Sequence, residues 1–309
     1  MICPICKKET KEKRGGKLYC PNCDIYLGDE DGFKISPGFE TGKEEVDPSP
    51  PYENTPKSNY KKPFIIIFKK LIKIIFLISV ILFVFSYFQK NKLPIKGEIM
   101  DSLYREPLQT ELQIEPFKIQ KKGSTYTIIP RYNYELYGLV VSQYDSENWF
   151  DFWHKGDPLN TKDACTIWGD NIKNNVYQKM KFSHGEFTCY AEFKPDIDYS
   201  WYSKFSSANL SNNHLLPGSE EIYNEIKKVT IGDQIHLKGY LVDYNVDSQN
   251  GRSSRNTSTI RTDDKCEIVY VTDFQILKKG NPIYYLINRI SGYLVIFSFI
   301  ILILLFFRS

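Results

Sequence analysis

The chain is poor in the residue patterns that catalysis uses. Histidine occurs four times in 309 residues, as His154, His184, His214 and His236. None of them stands at the HxxxH or HExxH spacing that puts two imidazoles on one helix face, so a metal site among them would have to assemble over long range. No serine lies in a GxSxG elbow, and the sequence has neither a phosphate-cradling Walker loop nor a dinucleotide glycine fingerprint. Charge of one sign is also missing. Lys and Arg number 40 against 37 Asp and Glu, a formal net charge of +3, too near neutral to indicate a nucleic-acid partner.

What is present is apolar. A hydrophobic content of 42% and an aromatic content of 15% allow a sizeable core, and two windows concentrate that content. The stretch 64–88 would make about 37 Å of helix at 1.5 Å per residue, longer than a bilayer core of roughly 30 Å. Its lysines, Lys69, Lys70 and Lys73, fall in the first turns, where long stems reach lipid headgroups. Some sixty polar residues precede it and no small-residue cleavage site follows Tyr87 and Phe88, which opposes a signal peptide. The second stretch, 283–307, has Tyr284, Tyr285 and Arg289 at its entrance as interfacial anchors. Two transmembrane helices are therefore expected, with both termini in one compartment and the segment between them in the other.

Basic residues do not settle the orientation. Lys57, Lys61, Lys62, Lys69, Lys70 and Lys73 outweigh Lys90, Lys92, Lys96 and Arg105 across the first window, but Lys278, Lys279 and Arg289 outweigh Arg308 across the second. Cysteine spacing adds an argument. Cys3-Pro-Ile-Cys6 and Cys20-Pro-Asn-Cys23 form two CxxC knuckles, the arrangement that presents four thiolates tetrahedrally to Zn²⁺. Together with the Gly15-Gly16 turn they resemble a zinc ribbon over residues 1–34, with Zn²⁺ held by Cys3, Cys6, Cys20 and Cys23; two disulfides are the alternative use. Thiolates persist best in a reducing cytosol, which favours cytoplasmic termini. The basic loop Lys7 to Lys17 is offset by acidic residues from Asp24 to Asp47, so a metal-stabilised cap or a protein-docking surface is expected of the ribbon.

Residues 35–63 hold Pro37, Pro48, Pro50, Pro51, Pro56 and Pro63 among Ser, Gly, Glu and Asn, the composition of a disordered linker. The stretch 97–282 then reads as an α+β domain dominated by antiparallel strands. Strands are expected over 126–130, 134–142, 229–243 and 266–277, and helices over 170–180 and 217–228 with Ser219 as N-cap. Gly232-Asp233 and the strands around it resemble the Gly-Asp turn and closing strands of an OB-fold barrel. The phrases Tyr134-Glu-Leu-Tyr-Gly-Leu-Val-Val-Ser142, Ile167-Trp-Gly-Asp-Asn171, Ser211-Asn-Asn-His-Leu-Leu216 and Arg261-Thr-Asp-Asp-Lys-Cys-Glu267 are similar to those of a family of bacterial membrane proteins of uncharacterised activity, whose β-rich domain is extracytoplasmic. That resemblance implies a bacterial inner membrane and no particular chemistry.

Candidate binding residues in the domain are Asn212, Asn213 and His214, with Arg252, Arg255, Arg261, Asp263 and Asp264, read as polar loops that either converge on a ligand or hydrogen-bond their own turns. Cys165, Cys189 and Cys266 permit one disulfide, with Cys165–Cys189 favoured. Trp149, Trp153, Trp168 and Trp201 supply either core or stacking faces for an envelope sugar polymer or peptide, and 146–154 reads as an exposed aromatic loop. Two functional readings follow. One is a membrane adaptor without a catalytic site, its β-rich domain binding an envelope ligand or protein and its ribbon docking a cytosolic protein. The other is an envelope hydrolase using His214 with nearby acids or amides.

Overall fold

The computed structural model describes residues 7, 9, 13–14, 17–23, 25–28, 63–147, 157–248, 251–263 and 265–307. The chain divides into two compact units, Met1–Asn59 and Tyr60–Ser309. In the first, β1 (Lys13–Arg14), β2 (Lys17–Cys20) and β3 (Ile25–Gly28) form an antiparallel sheet in that order. A turn from Cys20 to Cys23, closed by the Cys23 amide on the Cys20 carbonyl at 3.3 Å, joins the last two strands. Cys3, Cys6 and the linker expectation for 35–62 lie outside the described residues.

The second unit opens with α1 (Pro63–Lys90) and closes with α4 (Pro282–Phe307), both long and apolar enough to cross a membrane. Proline suits the first turn of α1, whose leading N–H groups have no intrahelical acceptor. The two helices pack antiparallel, with Phe76 stacked on Phe299 at 6.2 Å and Phe85 edge-on to Tyr284 at 6.0 Å. Their shared face is small and polar. Ile72, Ser79 and Ser86 are buried at heptad spacing on α1, opposite Ser291 and Ser298 at the same spacing on α4. The Ser86, Ser291 and Ser298 hydroxyls bond carbonyls of their own helices, which satisfies them within the close packing. Asn288 joins the pair, donating to the Phe83 carbonyl at 3.1 Å and accepting from the Lys90 ammonium at 2.8 Å. The outward faces stay bare, with Ile67 64% and Phe307 82% exposed. So much apolar surface on two paired helices suggests membrane association rather than core helices of a soluble fold.

Between them lies a large, mostly antiparallel sheet. Its strands are β4 (Leu108–Glu111), β5 (Phe117–Lys121), β6 (Ser124–Asp145), β7 (Lys162–Ile167), β10 (Leu210–Pro217), β11 (Gln234–Ser248), β12 (Gly251–Arg255) and β13 (Glu267–Lys278). Following the pairings, β6 joins β7, β7 joins β10, β10 runs parallel to β13, β13 joins β11, and β11 returns to β6. Five strands thus close on themselves. The ring is filled by Leu136, Val140, Ala164, Trp168, Leu215, Ile235, Leu237, Leu241, Val269 and Val271, all at most 1% exposed.

Helix α3 (Glu220–Lys227) plugs one end of the ring with Ile226, followed by Val229. Ser219 caps it as expected, accepting from the Ile222 amide at 3.3 Å. The other end of α3 is met from inside the barrel, where Lys162 donates to the Lys227 and Val229 carbonyls at 3.2 and 3.0 Å. Carbonyls at a helix C-terminus lack intrahelical donors, so a buried ammonium is well placed there. Burial lowers the pKa of Lys162 to about 8.

The sequence breaks β6 into two strands, and the structure makes it one. Arg131 is extra in the ladder, between Pro130 opposite Val242 and Tyr132 opposite Leu241. Such a bulge accommodates a proline in an interior strand, and Arg131 turns out to pair with Asp243 at 2.7 Å. Beyond it, β6 and β11 leave the ring, and with β5 form a second layer over β10 and β13, enclosing Tyr126, Ile128, Leu216, Tyr244, Val246 and Ile268. The helix expected over 170–180 is shorter, α2 (Gly169–Lys173), because Asn175 takes φ 57° and a 3₁₀ turn follows. A separate hairpin, β8 (Met180–His184) with β9 (Cys189–Phe193), flanks the barrel.

Candidate functional site

Between the barrel wall and the outer layer lies a chain of polar side chains. Antiparallel pairing of β7 and β10 sets Asp163 opposite His214, and His214 Nδ1 lies 2.6 Å from Asp163 Oδ1. On the other side of the ring, Arg255 Nη2 is 3.0 Å from His214 Nε2. A guanidinium has no acceptor, so Nε2 takes its hydrogen bond and the proton sits on Nδ1, donated to the carboxylate. The chain continues outward. Tyr244, cross-strand partner of Arg255, donates its hydroxyl to Asp157, whose carboxylate is 3.8 Å from Arg255. Burial, then the Asp157 charge, hold the Tyr244 hydroxyl well above the ordinary tyrosine range. His214 is 2% exposed and Asp163 is fully buried.

Next to this chain, Asn212 donates to the Phe187 carbonyl at 3.1 Å and to Cys266 Sγ at 3.5 Å, and its carbonyl faces His184 Nε2 at 2.9 Å. Burial raises the Cys266 thiol, which disfavours the thiolate that nucleophilic attack needs. Cys165 and Cys189 form the disulfide that the sequence favours, with Cα atoms 5.9 Å apart, fastening the β8–β9 hairpin to the barrel. The third described histidine, His236, stacks on Tyr137 at 4.2 Å and bonds Glu135 at 2.8 Å; His154 lies outside the described residues.

The expected cluster is brought together only in part. Asn212, Asn213 and His214 are a buried strand rather than a polar loop, and of the arginines only Arg255 reaches His214. Arg261 turns instead to Glu106 at 3.8 Å, and Asp263 accepts from Ser258 at 2.7 Å. Asp264, Trp149 and Trp153 lie outside the described residues, as does most of the loop 146–154. Sequence reading missed Asp163, Asp157 and Glu267. Glu267 points into the barrel beside Asn213, 7% exposed, and accepts from Ser211. Burial raises its carboxyl to about 7, against the opposing pull of the Ser211 hydrogen bond. No local signal singles out Asp163, because β7 is buried on both faces.

Aromatic side chains divide between core and surface. Trp168 is 1% exposed and donates its indole N–H to Glu106 at 2.9 Å. Trp201 instead lies under two ammonium groups, Lys204 at 4.0 Å and Lys179 at 5.3 Å from the ring centre. Beside it Tyr199 stacks on Tyr202 at 5.6 Å, and Tyr202 packs tilted against Phe193 at 4.2 Å. Tyr199 is 88% exposed and Tyr202 50%, so this ladder stands largely in solvent.

Among the described residues no group of three or more His, Cys, Asp or Glu is placed to hold a metal ion. No family model, curated protein or solved structure matches the chain.

Proposed function

We propose that the chain is a membrane-anchored binding protein without a catalytic site, its β-rich domain taking an envelope ligand and its N-terminal module docking a partner across the membrane. The ladder of Tyr199, Tyr202 and Phe193 carries this reading. Exposed stacked rings add little to folding, yet they suit the CH faces of a sugar ring or a peptide side chain. The ring order, the parallel β10–β13 pair and α3 between β10 and β11 support an OB-like barrel, a scaffold that binds ligands on its outer surface. Against hydrolysis, Arg255 occupies the His214 lone pair that a general base would offer to water.

Location follows from redox chemistry. A Cys165–Cys189 disulfide belongs in an oxidising space and four zinc thiolates in a reducing one. We therefore place residues 97–282 outside a bacterial inner membrane and both termini in the cytoplasm, with Zn²⁺ on Cys3, Cys6, Cys20 and Cys23. Crosslinking and affinity isolation from native membranes test the binding reading. The double variant Tyr199→Ala, Tyr202→Ala should lose the envelope material captured by the wild-type chain while keeping its melting temperature. Unchanged capture would contradict the assignment.

A further inference from the structure

Where α4 meets the barrel, a cavity of about 730 Å³ runs from Lys228, Thr230 and Lys279 down one face of the helix. Its helical wall is formed by Pro282, Tyr285, Leu286, Arg289, Gly292, Tyr293 and Ile296, at the three- and four-residue spacing of a single face, with Phe83 of α1 opposite. The cavity is amphiphilic by position. Cations gather where it meets the polar domain, and beyond Arg289 apolar side chains line it as far as Ile296, about 10 Å along α4 at 1.5 Å per residue. No carboxylate lines it.

The cations are not equivalent. Lys279 is committed to Asp233 at 2.9 Å, and Lys228 pairs with Glu225 at 2.6 Å. Arg289 has no acidic partner among the described residues, although it stands two turns inside an apolar helix. A guanidinium at that depth needs an anion or water, and it binds a phosphate by two parallel hydrogen bonds; a zwitterionic headgroup brings its own ammonium up to Arg289, Lys228 and Lys279, whereas a net-anionic one does not. Gly292 opens the groove below it, since a side chain there would meet the Phe83 ring at 3.3 Å.

We propose that this cavity holds one anionic phospholipid of the surrounding bilayer, its phosphate on Arg289 and one acyl chain along Gly292 and Ile296. The inference rests on the membrane reading. It deepens that reading by giving the barrel a specific lipid at its foot, where the lipid would bridge the domain to the helical hairpin.

Native mass spectrometry of the full chain in neutral detergent tests it, with phosphatidylglycerol, phosphatidylcholine or inorganic phosphate added. Phosphatidylglycerol should be retained at one molecule per chain, about tenfold more tightly than phosphatidylcholine, a difference of roughly 1.4 kcal/mol. Millimolar phosphate should not displace it. Arg289→Gln should remove the preference, and Ile296→Trp, which fills the groove and leaves the cation in place, should weaken retention of both lipids. Equal retention of the two lipids, an unaltered preference in Arg289→Gln, or displacement by phosphate would overturn the proposal. A chain that stays monodisperse without detergent would instead overturn the membrane reading itself.

Discussion

The amide of Gly280 donates to the Asp233 carboxylate at 2.9 Å, tying the turn before β11 to the residue that leads into α4. The same carboxylate accepts from the Thr230 amide at 2.8 Å and the Lys279 ammonium at 2.9 Å, and it is fully buried. Around this clasp, Gly232 adopts φ 90° and its backbone lies against Gly280 so closely that a Cβ on Gly280 would come within 2.6 Å of the Gly232 carbonyl carbon. Asn281 completes the joint by donating to the Lys90 carbonyl at the end of α1. Barrel and helical hairpin are thus joined by backbone contact and a buried charge, not by a free linker.

Gly280→Ala should therefore loosen the foot of the barrel, at a cost on the order of 1–3 kcal/mol from overpacking. Asp233→Asn should cost more, about 3–5 kcal/mol, because Lys279 loses its counterion while the backbone donors keep only a weaker acceptor. Thermal unfolding in detergent, with proteolysis between the barrel and α4 as a second readout, checks both. Unchanged melting and unchanged cleavage in the two variants would mean that the clasp bears no load.

The His214 chain predicts a stability effect, not a rate effect. His214→Leu leaves the Asp163 carboxylate without its ring donor and Arg255 with one acceptor fewer, a loss on the order of 3–5 kcal/mol for a buried pair. At about 2–4 °C per kcal/mol for a domain of this size, the melting temperature should fall by roughly 10 °C. A variant that melts like the wild type yet loses a measurable hydrolysis would reverse this assignment.

Glu267 makes stability depend on pH in an unusual direction. Its carboxyl titrates near 7 in the fold against 4.5 ordinarily, so the folded chain binds the proton more tightly than the unfolded chain. The stabilisation from this group is complete below about 4.5 and is lost as pH rises through 7, an effect of about 3 kcal/mol over that window. Glu267→Gln should flatten that decline, and melting curves collected from pH 4.5 to 8 read it directly. A parallel pH dependence in wild type and variant would show that another group is responsible.

How much of this was legible in the sequence follows from which interactions are local. The two long apolar helices, the α3 cap at Ser219 and the favoured disulfide rest on composition, short spacing or a single residue's role, and the structure contains all three. The Gly232-Asp233 turn is legible locally, but its purpose depends on Gly280, far away in the chain. The strands β7 and β10 escaped because burial on both faces erases alternation, and polar residues such as Asn212, Asn213 and His214 look like a loop unless Asp163 and Arg255 are known to face them. Pro130 reads as a strand end because a bulge that admits a proline has no local signature apart from the proline itself. Pairing of α1 with α4 was hidden as well, since a few serines at heptad spacing are easily lost among so many apolar neighbours.

The central claim is that the paired helices separate the β-rich domain from the N-terminal module across a bilayer. Labelling intact cells with a membrane-impermeant maleimide tests it, using a Cys266→Ser background that carries Tyr199→Cys at the most exposed ring of the aromatic ladder. The introduced thiol should react in intact cells, whereas Cys3, Cys6, Cys20 and Cys23 should react only after permeabilisation and metal chelation. Reaction of both sets from the same side would contradict the account.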